Sequence, residues 1–172
     1  MFNRILVPSD FSAPSDAALD YARILAARFE SSLQILHVVD DSTAESEFVA
    51  DGFAPSTEQI RYGLRDQARR RLDALLTQTD RSRYRAHTEA IIGLPAHTIV
   101  DYAMATASGL IVMGTHGRTG LAHLLMGSVA EQVIRTAPCP VLTVRQIATA
   151  DEQAHAVAFD SARVTLPIPI VI

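Results

Sequence analysis

Ile5-Leu6-Val7 runs apolar without a break and stops at Pro8, the pattern of a strand covered on both faces in a parallel sheet. Ser12 can cap a helix behind it, and Pro14 fits that helix's first turn. Ala18, Tyr21, Ala22, Leu25 and Phe29 then recur at helical spacing as one apolar face. After a break at Ser31-Ser32, a second strand is expected over Leu33 to Val39. Asp40 to Pro55 is acidic and small with no period, and reads as a long surface loop. A second helix follows, with Ile60, Leu64, Ala68, Leu72 and Leu75 on one side; its arginines, Arg61, Arg65, Arg69, Arg70 and Arg71, are assigned to the solvated side.

Arg85 to Ile92 predicts a third strand. Pro95 opens a helix with Ala96, Ile99, Val100, Ala103 and Ala107 on one face, and Gly109 is expected to end it. Leu110-Ile111-Val112-Met113 predicts a fourth strand and Ser128 to Ala137 a short helix stopped by Pro138. Val141-Leu142-Thr143-Val144 is the last strand. Such alternation demands right-handed crossovers on both faces of a sheet. The expected fold class is therefore α/β: an open, doubly wound five-stranded parallel sheet with helices on both faces. Two units are expected, a domain over 1–145 and a C-terminal tail over 146–172. The tail closes on Leu166-Pro167-Ile168-Pro169-Ile170-Val171-Ile172, and its prolines suit an edge or extended segment packed on the domain or on a partner subunit.

Composition narrows the function. Of 172 residues 48% are apolar and 20% charged, as in an ordinary globular protein. A net charge of −4 argues against general nucleic-acid binding, which draws its affinity from a basic field. No apolar run approaches the ~20 residues of a membrane helix, and Met1-Phe2-Asn3-Arg4-Ile5 does not read as a signal peptide. A cytoplasmic protein with no membrane and no nucleic-acid partner is expected. Cys139 is the sole cysteine, so no internal disulfide can form; between two prolines it reads as a small buried apolar residue.

In doubly wound folds ligands bind beyond the carboxyl ends of the strands. Pro8-Ser9-Asp10 follows the first strand, Val38-Val39-Asp40 ends the second, and Gly114-Thr115-His116-Gly117-Arg118-Thr119-Gly120 follows the fourth. Gly114, Gly117 and Gly120 would let main-chain amides approach a ligand. Gly127 precedes Ser128 at a helix start, where unpaired amides suit phosphate oxygens. Arg118, His116 and His123 could add positive charge. A plainer account stands beside this one: the glycines make turns, Ser128 and Glu131 form a capping box, and Asp10 caps the first helix. No G-x-x-x-x-G-K-[ST] segment, dinucleotide glycine fingerprint, G-x-S-x-G elbow or metal-site spacing occurs.

Gly114-x2-Gly117-x9-Gly127-Ser128 resembles the G-x2-G-x9-G-[ST] pattern of the ATP-binding branch of the universal stress proteins. Ile5-Leu6-Val7-Pro8-Ser9-Asp10-Phe11-Ser12, His37-Val38 and Pro138-Cys139-Pro140-Val141 extend the likeness over roughly residues 1–145. The resemblance implies a bound ATP, with Mg2+ or Mn2+ held through its phosphates, and a homodimer formed through the last strand, Val141 to Val144. It places Asp10 and the backbone of Pro8 and Ser9 at adenosine, and Val38 at adenine by main-chain bonds. Met113 would flank the nucleoside. Gly114, Thr115, His116, Gly117, Gly127, Ser128 and Val129 would meet ribose or phosphates. No residue is assigned a catalytic role. The expected function is an ATP-dependent regulatory switch with very slow or no hydrolysis. The alternatives are a nucleotide-free dimer module and a slow ATPase or adenylate-handling enzyme.

Overall fold

A computed structural model describes residues 2–40, 57–115 and 127–145. Ten elements alternate along it: β1 (Arg4–Pro8), α1 (Ala13–Phe29), β2 (Ser32–Asp40), α2 (Thr57–Leu75), α3 (Gln78–Arg83), β3 (His87–Gly93), α4 (Pro95–Ala105), β4 (Leu110–Gly114), α5 (Ser128–Thr136) and β5 (Val141–Val144). The five strands form one sheet in the order β3-β2-β1-β4-β5, and every pairing is parallel. This is the open doubly wound α/β architecture that the alternation predicts. The order reverses between β1 and β4, because the chain leaves β1 toward β2 on one side and returns from β3 to β4 on the other.

Alternation along each strand sorts the core into two layers. Ile5 and Val7 face α1 and α2 with Leu33, Ile35, Leu72 and Val112. Leu6 faces α4 and α5 with Leu36, Ile99, Ile111 and Val133. Ile5, Leu6, Val7, Ile111 and Val112 are fully buried, as strands covered on both faces require.

Several expectations need correction. The buried stripe of α1 is Ser15, Ala18, Leu19, Ala22 and Ala26, whereas Tyr21 and Phe29 are about half exposed at 47% and 49%. Small residues let α1 lie close to the sheet and push the large rings to its flanks. Phe29 packs edge-on against Phe2 at 5.3 Å. β3 starts at His87 rather than Arg85, and Arg85 turns the chain with φ 46°. α4 stops at Ala105, and the left-handed turn falls on Ala107 at φ 49°. Gly109 lies beyond that turn and donates its amide to the Arg4 carbonyl at 2.9 Å.

α3 has no counterpart in the expected elements. Thr77 caps it, accepting from the Asp80 amide at 3.1 Å while Asp80 Oδ2 accepts from Thr77 N at 2.8 Å. Asp80 is buried and takes a two-armed contact from Arg23 of α1, at 3.0 and 2.8 Å. The expected loop from Asp40 to Pro55 and the tail from 146 fall almost entirely outside the described residues.

Candidate functional site

β1 ends early. It pairs with β2 only as far as Pro8 opposite Leu36, while β2 continues beside β3 to Asp40 opposite Gly93. Ser9 donates its amide to the Leu36 carbonyl at 2.8 Å. Main-chain groups alternate sides along a strand, so Val38, two residues on, presents its N–H and C=O to the same side, where no β1 residue stands opposite. The space so opened is the crevice at the switch point.

A cavity of about 690 Å3 occupies it, within the usual range for small-molecule sites. Pro8, Ser9, Asp10, Val38, Met113, Gly114, Thr115, Gly127, Ser128 and Val129 all line it. His116 and Gly117, with Arg118, Gly120 and His123, lie outside the described residues. The cavity also takes in residues that sequence reasoning did not assign to it: Phe11, His37, Pro95 and Ile99, and the stripe Leu64, Gln67, Ala68 and Arg71 of α2.

The turn after β1 is held tightly. Phe11 is a non-glycine residue in the left-handed region, φ 63°, a conformation that costs about 1 kcal/mol. Its amide donates to Ser9 Oγ at 3.2 Å. Asp10 Oδ1 accepts from the Ser12 amide at 3.1 Å and from the Ser12 hydroxyl at 2.5 Å. Asp10 thus braces the entry to α1 and lines the cavity as well. His37 Nδ1 lies 2.7 Å from the Ser9 carbonyl oxygen; since a carbonyl only accepts, Nδ1 carries the proton. The imidazole also lies 4.4 Å from the Phe11 ring, and the Arg71 guanidinium lies 3.9 Å from that ring's centroid.

At the other side, α5 starts without the expected capping box. Gly127 is the N-cap, and no side chain caps the helix. Glu131 sends its amide to the Gly127 carbonyl at 3.0 Å and its carboxylate to Arg135 at 3.3 Å. The first amides of a helix have no partner within it, so those of Ser128, Val129 and Ala130 form a positive end at the cavity wall. The Gly127 amide itself is engaged, by the Thr115 carbonyl at 2.8 Å. Gly114 lacks a side chain for a reason internal to the fold: a Cβ there would stand 2.9 Å from the carbonyl carbon and from Cβ of Pro14.

The arginines of α2 are not all on a wet face. Arg65 turns to β3, its Nε donating to the Ala90 carbonyl at 3.0 Å. Arg71 is exposed, yet it borders the cavity. Cys139 is partly rather than fully buried; burial pushes its thiol up, with a backbone hydrogen bond from Ile111 opposing, the reverse of what a reactive thiolate needs. Among the described residues no group of three or more His, Cys, Asp or Glu could hold a metal. No described helix is long and apolar enough to cross a membrane.

A parallel α/β sheet in this order, with a switch-point cavity facing an uncapped helix start, defines an open doubly wound α/β protein with a candidate ligand site at the carboxyl ends of its strands. A model of the Universal stress protein family matches residues 1–145. The chain is 36% identical over 146 residues to universal stress protein MJ0531 of Methanocaldococcus jannaschii, covering 85% of this chain and 84% of that one. It is 33% identical over 148 residues to YxiE of Bacillus subtilis, covering 84% of this chain and 100% of that one. The solved structure of MJ0577 aligns with a TM-score of 0.75 at 27% identity, over 87% of this chain and 99% of that one. UspA from Lactobacillus plantarum aligns with a TM-score of 0.63 at 29% identity, over 84% and 98%. The chain belongs to the Universal stress protein family.

Proposed function

We propose that the protein binds ATP and acts as a nucleotide-dependent regulatory switch in the stress response, with very slow or no hydrolysis. The observation that carries this reading is the convergence of Pro8, Ser9, Asp10, Val38, Met113, Gly114, Thr115, Gly127, Ser128 and Val129 on one cavity. Adenine would meet the main chain of Val38 past the end of β1, with Ile99 and Met113 as apolar walls. The phosphates would lie at the amides of Ser128 and Val129, where the helix end favours negative charge. A divalent ion, Mg2+ or Mn2+, would ride on the phosphates and lower their repulsion.

Adenine nucleotides occupy other proteins of this fold. One is a universal stress protein in complex with cAMP, 24% identical to this chain, and another is the Archaeoglobus fulgidus protein in complex with dAMP, 19% identical. These likenesses extend to the fold alone, so the reading rests on this chain's own cavity. We also propose a homodimer through β5, the edge strand of the sheet, where Leu142 is 39% exposed and Ile134 of α5 is 42% exposed. The cytoplasm, where thiols stay reduced, suits the single cysteine.

The test is to denature the purified protein and identify the released nucleotide, then to follow ATP turnover with Mg2+. Released ATP with turnover slower than one cycle per minute is expected. Many turnovers per minute would make the protein an enzyme, and a nucleotide-free protein that also ignores added ATP would leave a dimer module.

A further inference from the structure

One wall of the cavity has no part in the contacts proposed for ATP. It is the α2 stripe ending in Gln67 and Arg71, spaced one turn apart so that both side chains border the same space. Arg71 differs in charge pairing from five other arginines of the chain. Arg23, Arg65, Arg70, Arg81 and Arg135 each meet a carboxylate. Arg71 meets none. Asp10 and Asp40 share the cavity with it, and Asp10 Oδ1 accepts from the Ser12 amide and hydroxyl. The contact of Arg71 with Phe11 at 3.9 Å is a cation–π contact, which occupies none of the five guanidinium N–H donors. A cation whose hydrogen-bonding fork meets no acceptor among the described residues therefore stands at this cavity.

Its location selects what it would read. Phe11 follows Asp10, the residue placed at adenosine, and lies beside His37 of β2. The α5 end proposed for the phosphates lies beyond β4, on the far side of β1, about 10 Å from β2 at two strand spacings. The 5′-phosphate chain would be spent there. The anion nearest Arg71 would be a group on the sugar, and the planar guanidinium matches a phosphate with two parallel bonds.

We propose that Arg71, with Gln67 beside it, recognises a phosphate on a ribose hydroxyl, so that the site favours adenosine nucleotides phosphorylated at the 2′ or 3′ position as well as the 5′ position. The inference rests on the adenine-nucleotide reading of the same cavity.

The experiment titrates nucleotide-stripped protein with ATP, adenosine 5′-monophosphate, adenosine 2′,5′-bisphosphate and adenosine 3′,5′-bisphosphate, using wild type, Arg71→Gln and Arg71→Lys. In wild type one bisphosphate binds about tenfold or more tighter than the monophosphate, and the one that gains identifies the hydroxyl. Arg71→Gln brings that ratio close to one with little change for the monophosphate, and Arg71→Lys keeps part of it, having the charge without the fork. Equal binding of the monophosphate and both bisphosphates by wild type, with ATP still bound, overturns the inference and leaves the ATP reading standing. A preference that survives Arg71→Gln overturns it too, as does an equal loss for all four ligands, which would make Arg71 a brace for Phe11 only. Failure of every ligand, ATP included, overturns both.

Discussion

Gly127 donates its amide to the carbonyl oxygen of Thr115 at 2.8 Å, and this bond returns the start of α5 to the end of β4. The two ends of the intervening segment are thereby joined, and the open amides of Ser128 and Val129 are fixed at the cavity. The backbone of Gly127, φ −73° and ψ 151°, is one that valine adopts without strain.

Gly127→Val therefore tests the cradle without breaking the fold. The bond to Thr115 uses only main-chain atoms and survives, whereas two methyl groups enter phosphate space. We expect ATP binding by calorimetry to be abolished and the melting temperature to stay within a few degrees of wild type. Gly117→Val, in the same motif, is expected to behave alike. Undiminished ATP affinity in both variants would rule against the cradle.

Gly114→Ala behaves differently. The new Cβ would meet Pro14 at 2.9 Å, through backbone as well as ring, and neither β4 nor the first turn of α1 can yield without disturbing the sheet. Overpacking of this kind costs about 1–3 kcal/mol, to be read from urea unfolding. A stability equal to wild type would show that α1 shifts freely and that Gly114 serves the ligand alone.

How far these features are legible in the sequence differs from place to place. Ile5-Leu6-Val7 and Leu110 to Met113 announce buried parallel strands, because residues covered on both faces leave a continuous apolar run. The strand ends are legible for the same reason, and Pro8, Ser9, Asp10, Val38 and Gly114, expected there, line one cavity. α3 is not legible. Gln78 to Arg83 is wholly polar, and its anchor Asp80 depends on Arg23, 57 residues away. Nor can spacing distinguish Arg71 from Arg70, since a helix with charges around most of its circumference does not reveal which arginine reaches the turn after β1. The capping-box pattern at Ser128 and Glu131 is a real sequence signal, but the helix starts one residue earlier in its cap, at Gly127, so that signal is not used.

The Arg23–Asp80 pair predicts an acid limb in stability. Burial pushes the Asp80 carboxyl up, but hydrogen bonds from Arg23 and Thr77 outweigh it and hold the group below its ordinary value. A carboxyl depressed in the folded state favours folding at pH values above the unfolded value near 4, and that contribution is lost as pH falls through the folded value. Arg23→Ala leaves a buried carboxylate without its partner and is expected to cost about 3 kcal/mol at pH 7. Urea titrations at pH 7 and pH 3 should show a smaller gap between wild type and variant at the lower pH. A gap independent of pH would contradict the assignment.

The proposed dimer runs through the β5 edge. Leu142→Asp puts a charge at the exposed apolar position of that strand, and sedimentation is expected to show monomers. Truncation before Gln146 removes the tail with its apolar end, and a weaker dimer is expected if the tail packs on the partner. Unchanged dissociation after truncation would discard a role for the tail, and a dimeric Leu142→Asp variant would move the interface elsewhere.

The central claim is that main-chain amides at the start of α5 and the main chain of Val38 together hold ATP. Calorimetric titration of nucleotide-stripped wild-type protein with ATP tests it most directly. Saturable binding of one ATP per chain in the micromolar range is predicted; no heat of binding up to millimolar ATP would contradict it.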